Sequence, residues 1–125
     1  MKDLTDFQTG YVSAQTDGEG YLGLIPKGRY IPIVDITSTD EYTIDWLVKV
    51  LEAQKVPNRT KHKPAWHCRL VSAEKVSEFL LKVQLLTKRV HQQLLIEACS
   101  MLLLGPYDKS RMMEIYAKLR ELNKR

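Results

Sequence analysis

The chain lacks most of the features that announce a function outright. It has only two cysteines, Cys68 and Cys99, far apart and without paired spacing. That excludes a disulfide framework and the common zinc modules, and leaves two reduced, structural thiols of an intracellular protein. A zinc set drawn from His62, His67, Cys68 and distant Cys99 fails on the same ground. No apolar run approaches the ~18–20 residues that span a bilayer, so no transmembrane segment is expected. The opening MKDLTDFQTG carries aspartates and no apolar stretch, so it does not read as a secretory signal. The sequon Asn58-Arg59-Thr60 therefore has no use. Internal repeats and low-complexity linkers are absent too, and a single domain over 1–125 is expected.

What is present is the balance of a globular protein, 44% hydrophobic and 27% charged, in a chain long enough to bury a core. The net charge of +4 favours anionic partners only weakly. Where the positive charges sit matters more than their sum.

Periodicity divides the chain into nine elements. Thr5-Asp-Phe-Gln8 has the capping-box pattern, predicting a helix from Thr5 or Asp6 to about Thr16, ended by Asp17-Gly18 and Glu19-Gly20. The period then changes to two. Strands are predicted over 21–26 and 30–38, joined by the turn Lys27-Gly28-Arg29, with Pro32 marking an irregular or edge position. A helix over 40–53, capped by Ser38 or Thr39, carries Ile44, Leu47, Val48 and Leu51 on one face. Strands over 55–59 and 65–71 flank a basic loop. Trp66, Cys68 and Leu70 alternate there with His67 and Arg69. Ser72 caps a helix running to Leu86 or Lys88, a second runs from Val90 to Leu104 and stops at Gly105-Pro106, and a third covers 108–122. Trp46 and Trp66 read as core anchors, and His91, Met112 and Met113 as ordinary helix residues. The class is α+β, in the order α-β-β-α-β-β-α-α-α.

One feature of the first helix is costly. Acids at a helix C-terminus oppose the dipole by about 0.3–1 kcal/mol each, yet Asp17 and Glu19 stand there. Upstream, Gly10, Ser13, Ala14 and Asp17 recur at helical spacing as a stripe of small side chains. Gly10 costs a helix roughly 1 kcal/mol relative to alanine, for which close approach of another backbone is a sufficient reason. Read alone, Asp-Gly-Glu-Gly is a helix stop with solvated acids. Basic residues gather on the hairpins: Lys27 and Arg29 at the first tip, Arg59, Lys61 and Lys63 in the second loop, His67 and Arg69 on its strand. A two-stranded ribbon fits the DNA major groove, where such side chains contact guanine edges and phosphates. The bland alternative is a loop kept soluble by charge. Ile25, Ile31 and Ile33 make one face of the first hairpin more apolar than a DNA-reading surface requires.

Val12-Ser-Ala-Gln-Thr-Asp-Gly-Glu-Gly20 resembles the nine-residue motif of the LAGLIDADG homing endonucleases. The match lies in its second half; Ala14 stands where glycine is usual, and Gln15 and Thr16 replace apolar residues. The resemblance extends over nearly the whole chain, because the element order matches the αββαββα unit with extra C-terminal helices. Thr87-Lys88-Arg89 sits where the family often carries a lysine, and Leu119-Arg-Glu-Leu-Asn-Lys-Arg125 is similar to its C-terminus. The resemblance implies a homodimer packed through Gly10, Ser13 and Ala14, with one half-site of a palindromic or pseudo-palindromic duplex on each copy. It implies Glu19 as catalytic metal ligand, Asp17 as a second ligand or its supporter, Mg²⁺ or another divalent cation as cofactor, and Lys88 as the catalytic basic residue near the active centre, polarising the phosphate or a water. Site-specific double-strand DNA cleavage is then the expected activity. The setting expected is intracellular, with bacterial, phage, archaeal and organellar sources all open. The departures at 14–16 leave room for a nuclease-inactive DNA- or RNA-binding protein on the same scaffold, such as an intron splicing helper. A protein-interaction domain would leave the basic hairpins unexplained.

Overall fold

The computed structural model describes residues 1, 3–58 and 64–124. The elements follow the expected order: α1 (Asp6–Glu19), β1 (Gly20–Lys27), β2 (Arg29–Ser38), α2 (Glu41–Leu51), β3 (Gln54–Asn58), β4 (Ala65–Val71), α3 (Ala73–Leu80), α4 (Arg89–Leu103) and α5 (Lys109–Leu122). The four strands form one antiparallel sheet in the order β1-β2-β4-β3. Gly28, at φ 72°, makes the tight turn between Lys27 and Arg29. Pro32 lies one residue before the β2–β4 ladder begins at Ile33, where its missing N–H interrupts nothing.

Strand alternation sorts the side chains onto two faces. Leu22, Leu24, Val34, Ile36, Cys68 and Leu70 point to one side, where the helices add Val12, Ile44, Leu47, Phe79, Leu95 and Ile115 to a single core. The other side carries Tyr21, Ile25, Ile31, Ile33, Asp35, Thr37, His67 and Arg69. Both cysteines are buried and unpaired, and desolvation pushes each thiol up to about 12. No helix among the described residues is long and apolar enough to cross a membrane.

Three boundaries differ most from the sequence reading. α1 does not stop at Thr16 but continues through Asp17, Gly18 and Glu19, with the Gly20 N–H closing the last turn on the Thr16 carbonyl. α2 is capped by Asp40, whose carboxylate accepts the Tyr42 N–H, while Ser38 accepts the Asp40 N–H instead. α3 ends at Leu80 rather than Leu86 or Lys88. Beyond it Val83 and Leu85 are buried in alternation, a pattern a helix cannot bury, and Gln92 replaces the helical hydrogen bonds. Its amide donates to the Leu80 and Val83 carbonyls and its oxygen accepts the Leu85 N–H. Trp46 and Trp66 are half-buried at the margin of the core, not inside it, and of the two methionines Met112 is buried and Met113 exposed.

Candidate active site and nucleic-acid interface

The C-terminus of α1 meets the N-terminus of α4, and the acids explain why. Lys88, at the N-cap of α4, makes no side-chain cap. Asp17 supplies it from the other helix: Oδ1 accepts the Lys88 N–H at 2.8 Å, and Oδ2 accepts those of Thr87 at 2.9 Å and Leu86 at 3.3 Å. Desolvation alone would raise this carboxyl, but the Thr87, Lys88 and Leu86 amides outweigh it and hold the pKa below its ordinary value. In return the Lys88 ammonium donates to the Asp17 carbonyl at 2.6 Å, capping the negative end of α1. Ser13 is buried and its Oγ accepts the Gln84 N–H at 3.1 Å. The segment between α3 and α4 is thus stitched to α1 at two points, which fixes Lys88 in place.

Glu19, one turn end further on, is different. It is exposed and has no hydrogen-bond or ion-pair partner among the described residues. It opens onto a cleft shared with Lys88, Tyr21, Thr37, His91 and Lys124. Gly20 makes the sharp exit from the helix possible, since a Cβ there would lie 2.5 Å from the Thr16 carbonyl oxygen. The chain turns straight into β1 and leaves Glu19 at the corner. A free carboxylate at a helix C-terminus is a hard oxygen donor in a negative field, and suits Mg²⁺ or Ca²⁺. Asp17 has both oxygens engaged with backbone N–H groups, so Glu19 is the better donor. Among the described residues no three His, Cys, Asp or Glu side chains converge as a metal cluster.

His91 was not singled out by sequence, because its position in an amphipathic helix looks ordinary. It is buried beneath the same cleft, with Nδ1 lacking a hydrogen-bond partner. Desolvation first, and the nearby Lys88 charge second, hold its pKa below the ordinary histidine value.

The stripe on α1 is split by the fold. Ser13 faces inward, whereas Gly10, Ala14 and Gly18 are exposed along a shallow groove walled by Leu86 and Thr87. A Cβ added at Gly10 or Gly18 would meet nothing within 4 Å. Nothing inside the protomer therefore requires glycine at either position. Phe7 and Tyr11 extend the exposed side of the helix, at 72% and 40% exposure.

Lys27, Arg29, His67 and Arg69 lie on the sheet face opposite the core, which no helix covers among the described residues. Lys27 and Arg29 face each other across the turn, and His67 and Arg69 of β4 pair with Thr37 and Asp35 of β2. Ile25, Ile31 and Ile33 occupy the same face between these two groups. Arg59, Lys61 and Lys63 lie outside the described residues.

No protein-family model matches the chain, and no curated protein matches it in sequence. Solved structures do. The archaeal intron-encoded homing endonuclease I-Vdi141I, complexed with DNA, superposes with a TM-score of 0.81 at 16% identity, over 96% of this chain and 86% of that one. I-CvuI, in complex with a DNA target in the presence of Mg, gives 0.75 at 14% identity over 95% and 83%. The homing endonuclease I-TnaI gives 0.65 at 24% identity over 98% and 90%. The LAGLIDADG homing endonuclease I-LtrWI, bound to target DNA, is about twice as long: the match covers 94% of this chain and 46% of that one. The chain has the LAGLIDADG homing-endonuclease fold.

Proposed function

From this fold we propose a site-specific DNA endonuclease that works as a homodimer on a palindromic or near-palindromic duplex and hydrolyses one phosphodiester in each strand with a divalent cation, Mg²⁺ foremost. The observation that carries the proposal is Glu19, an unpartnered carboxylate held at the exit of α1 beside Lys88. A binding-only protein would gain nothing from a free acid placed where it faces phosphate. Bound there, a divalent cation would supply an activated water and neutralise developing charge on the phosphate. Glu19 would be its protein ligand, and Asp17 would serve as the brace that fixes Lys88. Lys88 would place a positive charge against the phosphate, oriented by its bond to the Asp17 carbonyl.

The exposed side of α1 supports a dimer. Two copies packed through Gly10, Ala14 and Gly18 bring two helix ends and two Glu19 side chains together, completing what one protomer lacks. The open sheet faces would then lie along the major groove of the two half-sites, with Lys27, Arg29, His67 and Arg69 on polar groups and the half-buried Ile25 and Ile31 against thymine methyls. Mg²⁺-dependent release of cut fragments from a randomised duplex library tests the reading. Staggered ends centred on a two-fold site are expected. Binding without cutting in Mg²⁺ and in Mn²⁺ would leave only the nuclease-inactive alternative.

A further inference from the structure

A carboxylate stands almost buried in the middle of the open sheet face. Asp35 is 8% exposed, yet it lies on the side away from the core. An isolated carboxylate in that position would be costly, so its partners define its purpose. Oδ2 accepts Arg69 Nε at 2.8 Å. Oδ1 lies 2.7 Å from His67 Nδ1, and Thr37 Oγ1 donates to it at 3.3 Å while also lying 3.0 Å from the same histidine nitrogen. All four side chains come from alternate pairs of the β2–β4 ladder, Asp35↔Arg69 and Thr37↔His67, and so share one face.

The way Arg69 is held matters. A guanidinium pairing with a carboxylate for stability alone does best with two parallel bonds from Nε and one terminal nitrogen. Here one carboxylate oxygen takes Nε and the other is turned to His67. The two terminal nitrogens of Arg69 keep no partner among the described residues, and the side chain is 32% exposed. His67 is likewise tied by Nδ1, leaving Nε2 without one. We propose that Asp35 is the positioning residue of a base-reading element, which presents the terminal amino pair of Arg69 end-on to the O6 and N7 of one guanine in each half-site. Arginine suits that edge because its fork is planar and bidentate, and fixing Nε beforehand removes the rotamer freedom that binding would otherwise have to freeze. Thr37 and His67 keep the carboxylate from rotating toward Arg69 and closing the fork. The proposal rests on the DNA-binding reading and specifies one of its contacts.

Selection of bound duplexes from a library with randomised half-sites, in Ca²⁺ so that no strand is cut, tests it with four chains: wild type, Arg69→Ala, Arg69→Lys and Asp35→Asn. The wild-type consensus should hold one guanine per half-site whose preference over other bases falls by roughly 5- to 150-fold in Arg69→Ala. Arg69→Lys should not restore it, although it keeps the charge, and Asp35→Asn should relax the same position and no other. A duplex carrying 7-deazaguanine there should bind the wild type more weakly and Arg69→Ala unchanged, which decides the matter even if Asp35→Asn does not fold. Identical consensus sequences for wild type and Arg69→Ala, or a uniform loss of affinity that lysine rescues, would make Arg69 a phosphate contact and overturn the proposal. Failure of the wild type to retain any duplex at low salt would overturn the DNA reading itself.

Discussion

At the scale of single residues, two carboxylates two positions apart are held in opposite ways, Asp17 by three backbone amides and Glu19 exposed at the helix end. Glu19→Gln should reduce cleavage by more than the ~10–100-fold that losing a mere supporter of a metal ligand costs, with duplex affinity in Ca²⁺ nearly unchanged. Paired cleavage and binding assays read both numbers. Asp17→Ala should instead cost stability, about 1–2 kcal/mol as loss of a helix N-cap does, because Leu86, Thr87 and Lys88 all lose their acceptor. A lower denaturant midpoint at constant slope would show it. The titration behaviour follows from the same neighbours. His91 and Asp17 both have folded pKa values below their unfolded ones, so the stability linked to them is complete at neutral pH and is lost on acidification. The loss from His91 begins below its ordinary value of 6.5, where the unfolded chain takes up a proton that the buried ring refuses; that from Asp17 begins below 3.8. Denaturant midpoints measured against pH should fall in both stages, and His91→Asn should remove the first only.

At the scale of elements, the two sides of α1 differ. Its inner side holds only Val12, Ser13 and Thr16 in burial, while Gly10, Ala14 and Gly18 stay bare. Gly10→Ala should therefore stabilise the isolated protomer by about 1 kcal/mol, since a methyl there touches nothing and alanine favours helix. If α1 is the dimer seam, the same change should weaken self-association. Thermal unfolding of the dilute protein and sedimentation at rising concentration would report opposite signs. The nine elements and their order were legible because helix and strand periods alternate cleanly. The end of α1 was not, because Gly18 usually breaks a helix and only the distant amides of Leu86–Lys88 explain the acid beside it. The end of α3 was hidden for a related reason: Val83 continues the helical stripe of Val76, Phe79 and Leu80 on paper, and Gln92 acts on the segment from the next helix.

At the scale of the whole molecule, the charge is distributed more tellingly than its sum of +4. Lys27, Arg29, His67 and Arg69 share the one sheet face free of helices, while Asp17 and Glu19 sit at the end of α1. Sequence fixed neither the facing of Ile25, Ile31 and Ile33 nor the role of Asp35, since alternation gives two faces but not which of them the helices cover. Binding to duplex DNA should weaken steeply with salt, with log K falling linearly against log salt at about 0.9 per phosphate neutralised. A flat dependence would point to a protein partner. Most direct of all is a crystal structure of the chain on a selected palindromic duplex grown with Mn²⁺. The account predicts two α1 helices in contact through Gly10, Ala14 and Gly18, and anomalous scattering from metal beside Glu19 of each copy. Copies bound with α1 facing solvent, and Glu19 remote from metal and phosphate, would contradict it.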